Sequence, residues 1–533
     1  MDRRAFCELM AVLALAGPAT IERSQAAELA DMSREASAGA AEFAQAFLNP
    51  PGSAKPRTWW HWTGGNVTLD GITKDLEWMK RVGIAGCNLI DVSFGHGQVV
   101  KKKILFGTPA WLDAVRYAAA ECQRLGLEMG MDSSPGWSEA GGPWVKPHQA
   151  MKKVVWSEAE IKGPRHFTGK LPHPPTVSGP IRDLGNPVQR IPGMPPPPPQ
   201  QTYYADSVVL AYRTPADEVP MMELNPEVTT SGGSIKTDAL FDGNLNTFVT
   251  LPAAKDGTAW LQFKFATPYT ARAFTIGSQH GGIPVGRLLA SEDGTTFETL
   301  VVLPGPQGYF GAPVRTYAFP AVRARVFRLE LTDAPLLPAA VIHGGPITPA
   351  QNYMLTEAML YSGARVNRWE DKACYCSLMD VYEVAPTPPV SPAAEIHHAD
   401  IINLTAKMAA DGSLDWEVPE GKWTVLRMGY SLTGAKNHPD IPAATGLEVD
   451  KFSPQYVEDY FRGYTDPIAK ALGPLWGKTL CFMTMDSWEA GMQNWTDTMI
   501  ADFHQRRGYD PTPYLPTLAG RVVGTSDISD RFL

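Results

Sequence analysis

At 533 residues the chain is too long for one hydrophobic core, so at least two domains are expected, and 44% hydrophobic with 19% charged residues is the balance of a soluble globular protein. A formal net charge of −9 argues against a nucleic-acid partner, which asks for a basic face. Fifteen tryptophans are a heavy load; most serve cores, but indoles exposed at a cleft stack on sugar rings.

Arg3-Arg4, the short apolar run Leu9 to Ala16 and the small residues Ser24 to Ala27 predict a twin-arginine signal peptide over residues 1–27, and with it a periplasmic or secreted protein. The apolar run falls short of the ~20 residues that span a bilayer, and no later segment is long and apolar enough to do so. With Cys7 removed, Cys87, Cys122, Cys374, Cys376 and Cys481 are odd in number and lack zinc-like spacing, so no disulfide framework is indicated.

Thr58 to Trp62 (TWWHW) reads as a strand, followed by a turn at Thr63 to Asn66. Thr68 or Asp70 opens an amphipathic helix, Ile72 to Val82, with Leu76, Met79 and Val82 on one face. The strand Gly86 to Val92, the glycine-rich loop Ser93 to Gly97, a helix from Pro109 to Leu125 and a strand from Leu127 to Asp132 come next. Strand, helix, strand, helix, strand without hairpin turns predicts a parallel sheet, the first part of a (β/α)8 barrel over residues 28–150.

From Lys152 the pattern becomes short alternating runs, giving a β-rich insertion over residues 151–415. Pro192 to Gln200 is a polyproline connector, and the strands between about 220 and 335 have sandwich-like spacing. Trp416 to Val418, a turn at Glu420-Gly421 and the strand Trp423 to Tyr430 lead to a helix over Pro454 to Leu472, capped by Ser453. A buried strand, Thr479 to Met485, and helices at Thr496 to Arg507 and from Ser526 complete the chain. Strands at Thr58, Gly86, Leu127, Trp423 and Thr479 make five of the eight that a barrel needs. The expected fold class is α/β plus all-β: an incomplete TIM barrel interrupted by a β-sandwich, its second part (416–533) ending before closure.

The C-terminal ends of barrel strands are where chemistry is usually done. There the sequence places His61 and Trp62, Asp91, Asp132 with Trp137, the loop carrying His438, Glu448, Asp450 and Lys451, and finally Asp486, Trp488 and Glu489. Carboxylates for acid and base work, indoles for stacking, and His and Lys for hydroxyl hydrogen bonds read as a glycoside-cleaving cleft. Taken singly, Asp91 and Asp132 could hold their own loops, His61 could be a satisfied core histidine, Asp486 could cap a turn and Glu489 could be a solvated acid.

The order of Phe241-Asp242-Gly243-Asn244, an aromatic strand, Ser291 to Gly294 and a late strand Val326 to Leu331 resembles galactose-binding-like (discoidin) sandwiches. That likeness implies either a structural calcium at Asp242-Gly243-Asn244 or a plain turn. The segments beginning TWWHWTGGN at Thr58, LEMGMDSSPGW at Leu127, GKWTVLRMGY at Gly421, TGLEVDK at Thr445 and MDSWEAGMQNW at Met485 together resemble the α-L-rhamnosidases of glycoside hydrolase family 106. The resemblance implies a (β/α)8 catalytic barrel with β-sandwiches, inversion of configuration and calcium near the sugar. It makes Glu489 the general acid, its pKa raised by an apolar wall such as Trp488, with a partner glutamate on a strand beyond Leu533. Asp242, Glu448 and Asp450 are oxygen donors suited to calcium, with no spacing that fixes a site. The expected function is release of terminal rhamnose from a polysaccharide or glycoside, with little activity from the 533-residue chain alone. A non-catalytic carbohydrate-binding protein, or a hydrolase of another deoxysugar or a uronic acid, are the alternatives.

Overall fold

A computed structural model describes residues 40–186, 199–279, 282–305, 312–333, 349–375 and 386–533. The expected signal peptide, most of the polyproline connector and Cys376 lie outside the described residues. Strand β1 (Arg57–Thr63) alternates across its two faces: Trp60 and Trp62 are buried, while Trp59 and His61 are exposed. Helix α1 (Leu69–Arg81) starts where the Thr68 hydroxyl accepts the Gly71 amide at 3.0 Å, and buries the stripe Ile72, Leu76 and Met79. Strand β2 (Gly86–Val92) is buried at every position. Helix α2 (Pro109–Leu125) has proline in its first turn, the Thr108 cap before it, and Gly126 in the left-handed region (φ 64°) after it. Strand β3 (Glu128–Asp132) follows.

Two long strands come next, β4 (Lys152–Lys170) and β5 (Tyr204–Arg213). Then come β6 (Glu227–Thr230), β7 (Val249–Pro252), β8 (Ala259–Ser278), β9 (Val285–Ser291), β10 (Glu298–Pro304), β11 (Val314–Asp333) and β12 (Asn352–Tyr361). These seven form one antiparallel sheet, β10-β9-β11-β8-β12-β7 with β6 also on β8. Its core centres on Phe263, Phe274 and Phe327, each 0% exposed and each contributing roughly 2–3 kcal/mol by burial. Strand β13 (Ser413–Leu432), helix α3 (Pro454–Leu472), strand β14 (Leu480–Thr484), helix α4 (Met499–Arg507) and helix α5 (Ser526–Phe532) complete the order.

The parallel sheet has the order β1-β2-β3-β14. Gly130 in β3 lets it pack: a Cβ there would lie 2.0 Å from the Phe482 ring. Trp423 to Tyr430 is not a strand of this sheet, which corrects the fifth barrel strand expected above. It is the second half of β13, which lies antiparallel between β4 and β5. Glu420-Gly421 is likewise not a turn between strands but a register shift within one continuous strand. The segment mimics a parallel strand because both its faces are covered: every residue from Trp423 to Leu432 is buried. Even Arg427 is held inside, by a bidentate pair with Asp206 at 2.8 Å. The described residues are thus mixed α/β with separate parallel and antiparallel sheets and no closed barrel, and no described helix is long and apolar enough to cross a membrane.

Candidate active site

The end of β2 and the loops after β3, β13 and β14 meet at one edge of the parallel sheet, stitched by main-chain bonds. The amides of Trp137 and Ser138 donate to the His438 carbonyl at 2.9 and 3.0 Å, the Gly136 amide to the Asp91 carbonyl at 2.8 Å, and the Glu139 amide to the Ser487 carbonyl at 3.3 Å. Gly136 sits at φ +82°, where a Cβ would lie 2.6 Å from the His438 carbonyl carbon, so only glycine allows this approach. A short antiparallel pairing of Gly141–Gly142 with Leu447–Glu448 ties the same loops one step further out.

Side chains follow from this frame. Glu489 is open to solvent, its side chain 41% exposed, with Oε2 3.4 Å from His438 Nε2. Trp488 is half-exposed, and Lys451 Nζ stands 5.2 Å from its ring centre. Lys451 also donates to Glu448 Oε2 at 2.8 Å, and fully buried Glu448 accepts Ser138 Oγ on its other oxygen at 2.9 Å. Trp137 Nε1 donates to His61 Nε2 at 3.2 Å, which leaves the imidazole proton on Nδ1. Burial lowers the His61 pKa below its ordinary value, and the Asp486 carboxylate partly offsets this.

Two further carboxyls sit beneath the opening. Asp132 is 1% exposed and neither oxygen is held by a close hydrogen bond; burial pushes its pKa up to about 8, with the nearby Ser133 amide opposing and the charges of Asp486 and Glu139 adding to the rise. Glu139 is also buried, with Oε1 unpartnered. Burial raises it to about 6, with Glu448 and Asp486 adding to the rise and Lys451 opposing it. Glu139 was not anticipated from sequence. Its loop, SPGWSEAGG, gave only a polar residue among turn formers, and its partners lie hundreds of positions away.

Three expected rim residues are placed elsewhere. Trp62 lies in the core on the helix side of β1, edge-on to Trp60 and Trp111 at 5.5 and 6.5 Å, because the alternation of β1 turns even-numbered positions inward. Asp91 accepts Trp111 Nε1 at 2.8 Å beneath α2, and burial with the neighbouring charge of Asp440 raises its pKa well above the ordinary carboxyl range. Asp450 is spent on structure: Lys152 and Thr496 donate to one oxygen at 2.9 and 2.8 Å, and the Phe452 amide (3.0 Å) and Gln493 to the other. His61, Asp132, Trp137, His438, Glu448, Lys451, Asp486, Trp488 and Glu489 do converge, with Glu139 among them.

The residues fit calcium in kind but not as a formed site. Asp132 and Glu139 offer buried unpartnered oxygens, yet among the described residues no group of three or more His, Cys, Asp or Glu is spaced to hold a metal. The Asp242 loop closes on itself instead, its oxygens accepting the Asn244 amide at 2.8 Å and the Thr247 hydroxyl at 2.7 Å. The Arg182 guanidinium bonds the Gly243 carbonyl, a poor companion for a cation.

Asp132 has a stability consequence. Its folded pKa, about 8, exceeds the unfolded value near 3.8, so the folded state holds the extra proton between these pH values and stability falls as pH rises through that window. Asp132→Asn is therefore expected to be within about 1 kcal/mol of the wild type at pH 4.5 and to exceed it at pH 8 by roughly 2–5 kcal/mol in chelator-containing denaturant titrations. Equal stability at pH 8 would show that the carboxyl is not held neutral.

A parallel sheet whose strand ends collect carboxyls, imidazoles and indoles around an open cleft has the make-up of a glycoside hydrolase. The chain belongs to glycoside hydrolase family 106, the alpha-L-rhamnosidase family, whose profile matches residues 48–533. The solved rhamnosidase from Novosphingobium sp. PP1Y is 38% identical, with TM-score 0.78, over 92% of this chain and 43% of that one. A curated protein of Formosa agariphila, described as "Putative beta-glucuronidase", is 28% identical over 494 residues, 92% of this chain and 28% of its own length. The chain thus spans less than half the length of either relative.

Proposed function

We propose that this chain carries the sugar-binding and acid-donating part of an inverting α-L-rhamnosidase, with Glu489 as general acid. The supporting observation is Glu489 itself, exposed at the rim beside His438, Trp488 and Lys451 and above buried Asp132 and Glu139. In this reading the Glu489 proton passes to the glycosidic oxygen as the bond to the sugar breaks, and a second carboxylate activates water on the opposite face. Asp132, neutral at pH 7, donates a hydrogen bond to a ligand oxygen and does not serve as a base. The proposal treats β1-β2-β3-β14 as part of a (β/α)8 barrel and the seven-stranded sheet as an inserted sandwich, supported by the alternation of parallel strands and helices before β4.

Charge separates a neutral deoxysugar from a uronic acid. Asp486 and Glu489 stand at the cleft with Glu139 and Asp132 beneath them, and Lys451, beside Trp488, is already bonded to Glu448. A carboxylated sugar would meet mainly acidic side chains and a lysine already bonded to Glu448, whereas rhamnose offers hydroxyl donors and a methyl group that Trp488, Trp137 and Phe94 can cover.

Calcium and export belong to the same proposal, supported by the orphaned oxygens of Asp132 and Glu139 and by Arg3-Arg4 before a short apolar run. The test assays this chain beside a family-length version on aryl α-L-rhamnoside and aryl β-D-glucuronide, with and without chelator. Rhamnoside turnover by the longer protein, restored by calcium after chelation, and little by this chain are expected. Faster turnover of the glucuronide would defeat the substrate assignment, and indifference to chelation would remove calcium.

A further inference from the structure

A second cleft lies away from these loops, where the seven-stranded sheet meets β4, and shares no residue with the candidate active site. It encloses about 800 Å³, the size range of small-molecule sites. Trp156 and Trp369 stand edge to face at 5.6 Å in its wall, with Trp156 half-buried.

The polar wall pairs each of its guanidiniums with a carboxylate and carries further acidic side chains, Asp183, Asp242 and Glu370, besides. Arg521 donates to Glu158 Oε2 and Glu218 Oε1, both at 2.7 Å, and Arg365 donates to the same Glu218 oxygen at 2.8 Å. Arg182 donates to Glu357 Oε1 at 2.9 Å. What these pairs leave over is of both kinds. Glu357, 4% exposed, keeps an unpartnered Oε2; Arg521, 9% exposed, keeps an unpartnered Nε–H; and Glu158, its side chain one-third exposed, lines the cleft while bonded to Arg521 through Oε2.

Each lining guanidinium is already bound to a carboxylate, so an anion finds no free cation here. A metal ion finds no group of three suitable ligands among the described residues. A hydroxyl group both donates and accepts, and so answers leftover acceptors and a leftover donor together, while indole walls take up the C–H face of a pyranose ring. We propose that this cleft is a second saccharide-binding site, for the end of a neutral oligosaccharide, that holds a glycan apart from the cleft where it is cut.

This inference goes beyond the proposed activity and stands on different residues. The probe is a neutral rhamnose-containing trisaccharide, titrated calorimetrically into the 533-residue chain, its Glu158→Gln and Trp156→Ala variants, and Trp488→Ala. Two sites per chain are expected in the wild type. Glu158→Gln, which keeps the shape of the wall, and Trp156→Ala should each weaken one site by about tenfold or more, and Trp488→Ala should weaken only the other. Should Trp156→Ala fail to fold, Glu158→Gln alone decides. One site lost only in Trp488→Ala, or two sites indifferent to Glu158→Gln, would overturn the second site and leave the active-site reading standing. One site lost only in Glu158→Gln would keep the second site and count against the active-site reading.

Discussion

Glu489→Gln, made in a family-length protein, is expected to lower kcat/KM on rhamnosides with alkyl or sugar leaving groups by roughly 10³-fold, within the range for loss of a general acid. The loss should shrink toward about tenfold for a nitrophenyl rhamnoside, because a phenolate departs without a proton. Glutamine keeps the size and the hydrogen-bonding reach of the side chain, so KM should change little and the leaving-group dependence carries the assignment. His438 enters the same experiment. Its Nε2 lies 3.4 Å from the carboxylate, so His438→Ala should alter the pH profile of the reaction more than its leaving-group dependence. A uniform loss across leaving groups in Glu489→Gln would make Glu489 a binding residue and not the acid.

The second large effect is on folding. Asp450→Ala is expected to destabilise the protein by about 3–5 kcal/mol, since it strands the Lys152 ammonium in the interior. Both partners are 0% exposed, and Gln493 and Thr496 lose a shared acceptor as well. Asp497, 3.4 Å from Lys152 Nζ, can recover only part of the loss. The double change Lys152→Met with Asp450→Leu should be closer to the wild type than Asp450→Ala, because removing both charges removes the unpaired ion. Chemical denaturation of the three proteins checks this; a loss under about 1 kcal/mol in Asp450→Ala would show that the pair contributes little.

These two residues also show how far a sequence can be read. Local signals carried the parallel part: Thr68 as a cap, Leu76 and Met79 on one helix face and Gly126 at a helix end all act within a few residues, and each element they predict is present, although Val82, expected on that same face, is exposed just past the end of α1. The rim at Glu489 was visible because a short apolar strand ended in a polar cluster. Trp423 to Tyr430 misled because burial on both faces erases the period that separates one sheet type from another, and only the strand beside it decides. Asp450 and Glu139 were unreadable in opposite ways. Asp450 is fixed by Lys152, 298 positions away, so a rim carboxylate in sequence became a structural anchor. Glu139 owes its raised pKa first to burial and then to Glu448 and Asp486, which two other loops bring beside it.

The register of β13 against β4 pairs Leu432 with Lys152, and so fixes the two loops of the cleft at one point. The Ser133-to-Met151 loop runs into this point, and the Thr433-to-Lys451 loop runs out of it. They share a hinge post. Lengthening either loop leaves the post where it is and moves the added residues toward the rim, so the mouth of the cleft can be remodelled by insertion while the carboxyls beneath it keep their places. The family could thus vary what it admits without rebuilding what lies below.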